Sequence, residues 1–182
     1  MSAHLIVEAD GGSRGNPGPA GFGSVVIDAA TGEVLAEKGE TIGIATNNVA
    51  EYRGLIGGLE LALSRGSNAS IEVRMDSKLV IEQMAGRWKI KNPDMKPLAM
   101  EAQALARQFR HVTWTWVPRE QNKRADALVN QALDAQAAGS PDTTVGTTVT
   151  ATVTPRPEPE ATLFDDVAAP SEAVPAQGGR PN

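Results

Sequence analysis

Hydrophobic and polar positions alternate over His4–Asp10, with Leu5, Val7 and Ala9 on one side and Ile6, Glu8 and Asp10 on the other. This period of two predicts a half-buried strand. A Gly/Pro/Asn-rich turn spans Gly11–Gly21, and two further strands are expected over Gly23–Asp28 and Val34–Ile44. Short links between the three favour an antiparallel meander. The period then changes. Tyr52, Leu55, Ile56, Leu59, Ala62 and Leu63 fall on one face of a helix, with Asn47 or Asn48 as its N-cap. A strand over Ser70–Met75 and a short helix over Ser77–Met84 follow, then an irregular basic segment, Gly86–Pro97. The pattern ends with a helix over about Leu98–Arg110, a strand over His111–Val117 and a helix over Asn122–Ala135. The order βββαβααβα predicts an α/β fold in which helical crossovers join parallel strands to an antiparallel hairpin region.

Beyond residue 136 the pattern stops. Seven of the twelve prolines lie in 137–182, and Phe164 is that segment's only aromatic residue. So little apolar surface does not offset the entropy of ordering, so a disordered Ala/Pro/Thr-rich linker or tail is expected there, after a domain spanning 1–136. Thr143–Thr154 has strand propensity but no adjacent partner strand. Ala161–Val167 is the one apolar patch of the tail, read as a chance feature.

Composition narrows the chemistry. The absence of cysteine excludes disulfides, zinc–thiolate sites, iron–sulfur clusters and a catalytic thiol. No apolar run reaches the roughly 20 residues of a membrane helix, so no membrane partner and a cytoplasmic location are expected. On its face the net charge of −5 argues against a nucleic-acid partner, but its distribution does not. Residues 136–182 hold 2 basic and 6 acidic side chains, whereas 78–124 hold 10 basic and 4 acidic.

Four carboxylates sit where element ends should meet: Asp10 and Asp76 at strand ends, Glu51 and Asp126 in the first turns of helices. Singly, each can be a cap, a turn residue or a helix-dipole partner. Jointly they repel, because two unit charges 4 Å apart cost about 4 kcal/mol at an effective dielectric of 20. Such a cluster needs cations, raised pKa values, or both. All-oxygen ligands suit Mg²⁺ or Mn²⁺, and a pair of such ions suits phosphodiester cleavage.

The segments Asp10-Gly-Gly-Ser-Arg-Gly-Asn-Pro-Gly-Pro, Thr46-Asn-Asn-Val-Ala-Glu51-Tyr, Met75-Asp76-Ser-Lys and Asn122-Lys-Arg-Ala-Asp126 occur in this order. Over about residues 1–135 the chain resembles the type 1 ribonuclease H family. The resemblance implies a five-stranded mixed sheet, antiparallel β1-β2-β3 and parallel β1-β4-β5, flanked by helices. It also implies endonucleolytic cleavage of the RNA strand of RNA/DNA hybrids by two metal ions, leaving 5′-phosphate and 3′-hydroxyl ends. Asp10, Glu51, Asp76 and Asp126 would be the metal ligands. Asn16, Thr46 and Asn47 would grip a DNA phosphate. Gly11, Gly12 and Ser13 would approach the RNA backbone, with Asn48 and Lys78 along the minor groove. Shape and 2′-hydroxyls would carry that recognition.

Two departures stand out. Many family members carry a histidine in the loop before the last catalytic aspartate, whereas this loop reads Pro118-Arg119-Glu120-Gln121. Arg119 or Glu120 would take its place. The basic segment sets Arg87, Lys89, Lys91 and Lys96 around Trp88, in place of the extra basic helix of some members. Trp88 and Lys89 would contact the DNA strand, or Trp88 would pack on the sheet. Trp114, Trp116 and Tyr52 are expected in the core. Similar domains in high-G+C bacteria are joined through such a linker to a histidine-phosphatase domain, for which no Arg-His-Gly motif is present. A monomer is the expected state. The competing readings are a non-catalytic hybrid-binding module and a nuclease acting on DNA or double-stranded RNA.

Overall fold

The computed structural model describes residues 3–139 and the backbone of Thr144–Val145. Three long strands, β1 (His4–Ser13), β2 (Gly18–Asp28) and β3 (Val34–Ala45), precede helix α1 (Asn47–Leu63). Then come β4 (Ser70–Met75), α2 (Lys78–Met84), α3 (Met95–Ala106), β5 (His111–Trp116), a single 3₁₀ turn (Arg119–Gln121) and α4 (Lys123–Ala137). The main sheet has the order β3-β2-β1-β4-β5, with β1–β2 and β2–β3 antiparallel and β1–β4 and β4–β5 parallel. This is the expected five-stranded mixed sheet.

Alternation in β1 sets the layers. Leu5, Val7 and Ala9 join Leu55, Leu59, Ile71, Val73, Ile81 and Ala102 in the core under α1, α2 and α3. On the other face, α4 buries Ala125, Leu128, Val129, Ala132 and Leu133. Each large aliphatic group so buried contributes about 1.5–3 kcal/mol. Glycine lets α4 lie close: a Cβ at Gly23 would stand 2.2 Å from the Ala125 carbonyl oxygen. Tyr52 is fully buried, as expected, and donates from its hydroxyl to Gln83 Oε1 at 2.7 Å.

The structure corrects several expectations. β1 runs on to Ser13 and β2 starts at Gly18, because Gly11–Ser13 pair with Ala20–Phe22 instead of turning. Thr46, not Asn47 or Asn48, is the N-cap of α1; its Oγ1 accepts from the Val49 amide at 3.4 Å. Helix α3 begins at Met95, ahead of Pro97, since proline is tolerated in a first turn whose amides lack helical partners. Trp114 packs against the core, but Trp116 is 48% exposed and its indole N–H donates to the Asp76 carbonyl at 3.1 Å. Trp88 is 46% exposed, so it does not pack into the sheet. Thr144–Val145 does find a partner: it forms a two-residue strand, β6, antiparallel to Gly39–Glu40 of β3. The rest of the expected linker beyond Gly139, including Ala161–Val167, lies outside the described residues. No helix among the described residues is long and apolar enough to cross a membrane.

Candidate active site

The parallel register pairs Glu8 of β1 with Arg74 of β4, and two residues further this carries Asp10 to the level of Asp76. Helix α1 brings Glu51 to the same edge. It can do so because β1 and α1 touch backbone to backbone: a Cβ on Gly54 would lie 2.5 Å from the Asp10 carbonyl oxygen. The first turn of α4 supplies Asp126. All four carboxylates line one cleft of about 300 Å³, together with Gly11, Gly12, Ser13, Asn47 and Arg119.

Electrostatics in the cleft match four anions held together. Asp10 is 7% exposed, and its pKa is pushed up to about 7 by burial first, then by the charges of Asp76 and Asp126. Glu51 is pushed up to about 9 by burial, then by Asp10 and Asp76. Arg119 counters both shifts. The Glu51 Oε2 atom is buried without a hydrogen-bond partner, while Oε1 accepts a long 3.4 Å bond from Asn47 Nδ2 and the Ser77 hydroxyl beside the carboxyl partly offsets the upward shift. Buried polar atoms left unpaired cost about 1–3 kcal/mol, so this oxygen is available to a ligand.

Two other side chains organise the cleft; sequence reasoning quoted Asn122 in a motif without giving it a role and passed over Asn130. Asn122, 1% exposed, donates from Nδ2 to the Ala9 carbonyl at 2.9 Å and to Asp76 Oδ1 at 2.8 Å. It thereby ties β1, the Asp76 carboxylate and the entry to α4. Asn130 donates to the Asp126 carbonyl at 3.0 Å and to Asp126 Oδ2 at 3.4 Å, one turn along α4. A signal for Asn122 existed in its place just before a helix, where asparagine commonly caps. Its actual bonds go elsewhere.

The donor set suits a hard divalent cation: four carboxylates and no nitrogen or sulfur ligand. Among the described residues no three acidic or imidazole side chains are already drawn into ligating position around one point. Two of the four acids are held by other partners. Arg119 donates to Asp126 Oδ1 at 2.9 Å and Asn122 holds Asp76, so an entering cation competes with these bonds.

The other predicted contact residues fall into two groups. Asn16 Oδ1 accepts from the Asn47 amide at 3.1 Å, so Asn16, Thr46 and Asn47 gather at the start of α1. Asn48, Lys78, Trp88 and Lys89 are exposed and do not line the cleft. Arg119 lines it, whereas Glu120 does not. His4 and His111 both sit at the level of Ser70, at the opposite end of their strands from Asp10, so neither imidazole serves the carboxylates.

Comparison with known proteins agrees with this geometry. A family model described as "Reverse transcriptase-like" matches residues 8–132. The Bifunctional protein Rv2228c of Mycobacterium tuberculosis is 59% identical over 133 residues, 73% of this chain and 36% of that protein. The chain thus spans about a third of the length of the first curated relatives it matches. The solved N-terminal RNase H domain of Rv2228c is 58% identical with a TM-score of 0.72, covering 75% of this chain and 98% of that one. RNase H1 of the archaeon Halobacterium salinarum is 46% identical, with a TM-score of 0.67 and coverage of 74% and 98%. LC11-RNase H1, solved in complex with an RNA/DNA hybrid, is 42% identical, with a TM-score of 0.70 and coverage of 73% and 99%. Fold, cleft and relatives agree: the chain belongs to the type 1 ribonuclease H family.

Proposed function

We propose that the chain is a metal-dependent endoribonuclease that cuts the RNA strand of RNA/DNA hybrids. The single observation that carries this reading is the convergence of Asp10, Glu51, Asp76 and Asp126 on one cleft, with a buried, unpaired Glu51 oxygen among them. The hybrid bound to the related LC11 enzyme supports the substrate class.

In this reading Asp10, Glu51, Asp76 and Asp126 hold two Mg²⁺ or Mn²⁺ ions. Ions held there supply charge neutralisation, an activated water and stabilisation of the leaving oxygen. The residues do the rest. Asn122 fixes the Asp76 carboxylate, and burial keeps Asp10 and Glu51 strongly basic, which favours cation binding over free ionisation. Asn16, Thr46 and Asn47 place a DNA phosphate, while the small residues Gly11, Gly12 and Ser13 let the RNA backbone approach. A water oxygen would bond to the scissile phosphorus as its bond to the RNA 3′-oxygen breaks, and a proton taken up by that oxygen would leave 3′-hydroxyl and 5′-phosphate ends. Trp88, Lys89, Asn48 and Lys78 are exposed to meet the duplex outside the cleft. The name of the mycobacterial relative and its 36% coverage support a longer protein in which a second domain, expected to be of the histidine-phosphatase kind, accompanies this one.

Matched RNA/DNA, RNA/RNA and DNA/DNA duplexes assayed with Mg²⁺ or Mn²⁺ test the reading. Cleavage is expected in the hybrid's RNA strand alone, and it should stop with EDTA. Equal cutting of all three duplexes would refute hybrid specificity, and absence of hybrid cleavage would refute the reading.

The geometry also divides the two candidates for the missing loop histidine. Arg119 touches Asp126, whereas Glu120 lies outside the cleft. Arg119→Ala should lower kcat about tenfold or more and Glu120→Ala less than twofold, in line with a positioned charged group worth about 1.5–3 kcal/mol. Steady-state kinetics on one hybrid decide this, and the reverse ranking would assign the role to Glu120.

A further inference from the structure

Two arginines line the carboxylate cleft, and they are tied differently. Arg119 pairs with Asp126, one of the four acids. Arg14 pairs with Asp134, which stands outside the cleft on the next turns of α4. The Arg14 amide donates to the Pro19 carbonyl at 2.8 Å, so its side chain is rooted at the rim where β1 gives way to β2.

Behind this pair a second trough of about 350 Å³ opens, lined by Pro19, Ile44, Leu133, Gln136 and Ala137. Both clefts share Arg14 and Leu133. The trough is apolar, and Pro19 and Ile44, which face each other across β2 and β3, are both exposed. Arg14 therefore stands at the junction of a charged cleft and an apolar one, and Asp134, which lines neither, holds it from outside.

The pair is exposed on both sides, at 44% and 70%. Ion pairs so placed contribute about 0–1 kcal/mol, so this one opens at little cost. A phosphate offers the guanidinium a stronger, bidentate partner. The strand entering the carboxylate cleft is a polyanion, and Arg14 is the cleft cation not already tied to one of the four acids.

We propose that Arg14 binds a backbone phosphate of the strand being cut, at the nucleotide next to the cleft, and that Asp134 competes with that phosphate for the same guanidinium. Opening of the pair joins the clefts, and the apolar trough then receives the sugar face of that nucleotide. This rests on the cleft being the hybrid site, and Asp10-dependent cleavage checks that reading separately.

The test uses the full chain and hybrids shortened stepwise from each end. Arg14→Ala should raise KM about five- to tenfold with kcat unchanged, and should lower the slope of log KM against log salt by about one contact's worth, ~0.9. Arg14→Lys should recover part of the loss. Asp134→Asn should do the opposite and lower KM about two- to threefold. The Arg14 effect should vanish with hybrids too short to reach the trough. A merely structural ion pair predicts that Arg14→Ala and Asp134→Asn weaken the enzyme alike, and that result, or an unchanged KM and salt slope in Arg14→Ala, would overturn the proposal. If Asp10-dependent hybrid cleavage itself is missing, the functional reading fails, and this inference with it.

Discussion

Asp10→Asn should abolish hybrid cleavage and, in the metal-free protein, raise the melting temperature. The loss of activity follows from the role proposed for Asp10: removing one central anion removes several kcal/mol of metal-assisted stabilisation, or about 10³-fold or more in kcat. The gain in stability follows from the electrostatics of the cleft. Asp10 is buried among like charges, with its pKa pushed up from 3.8 to about 7. A carboxyl whose folded pKa lies above its unfolded value binds more protons in the folded state within that window. Stability of the metal-free protein therefore falls as pH rises from about 4 to about 7, and it falls further towards 9 through Glu51. Asparagine has no such proton to lose and stays uncharged at every pH. Above pH 7 the variant should be more stable by roughly 2–4 kcal/mol, with a melting temperature raised by about 5–10 °C. Below pH 4 the two proteins should melt together. Added Mg²⁺ should raise the wild-type melting temperature more than the variant's, since ligand binding to the folded state stabilises it. Thermal melts across pH with EDTA or Mg²⁺ measure all of this. A variant less stable than wild type at pH 8 in EDTA would show that Asp10 is not strained by its neighbours.

That conflict between stability and activity explains why the four acids were legible in the sequence. Each has an ordinary local use, but four at the ends of elements that converge on one sheet edge are hard to justify by local needs. Residues whose roles depend on distant partners were less legible. Asn122 sits where a helix cap belongs, yet its bonds go to Ala9, 113 residues away, and to Asp76, 46 residues away. Thr46, Asn47 and Asn48 are all good N-caps, so only the backbone could choose among them. Trp116 follows the alternation of β5, which is an edge strand, and its ring emerges beside Asp76 instead of entering the core. The Gly-Gly-Ser run read as a turn because glycine usually marks one. Here it continues β1, where the absent side chain of Gly11 admits α1.

Gly11→Ala is expected to be among the most damaging single-methyl additions in the molecule. A Cβ at this position would lie 2.1 Å from the Ala50 carbonyl carbon, 2.2 Å from its oxygen and 2.2 Å from the Glu51 amide nitrogen. All three are backbone atoms in the first turns of α1, so no side chain can rotate away. Either α1 lifts from β1 or the strand bends, and both displace Glu51 from Asp10. Overpacking costs about 1–3 kcal/mol and more where backbone meets backbone, so melting should fall by roughly 10 °C or more. The neighbouring Gly12→Ala meets only Val129 Cγ1, at 3.4 Å, and should cost less than about 1 kcal/mol in stability. In hybrid cleavage Gly11→Ala should lose at least tenfold in kcat even well below its melting temperature, because a shift of about 1 Å between catalytic groups can cost about 100-fold. The pair separates two reasons for glycine at position 11. If only close approach of the RNA strand required it, Gly11→Ala would melt with Gly12→Ala and show its loss in KM. If the contact with α1 requires it, the loss appears in the melting temperature and in kcat, with or without substrate bound.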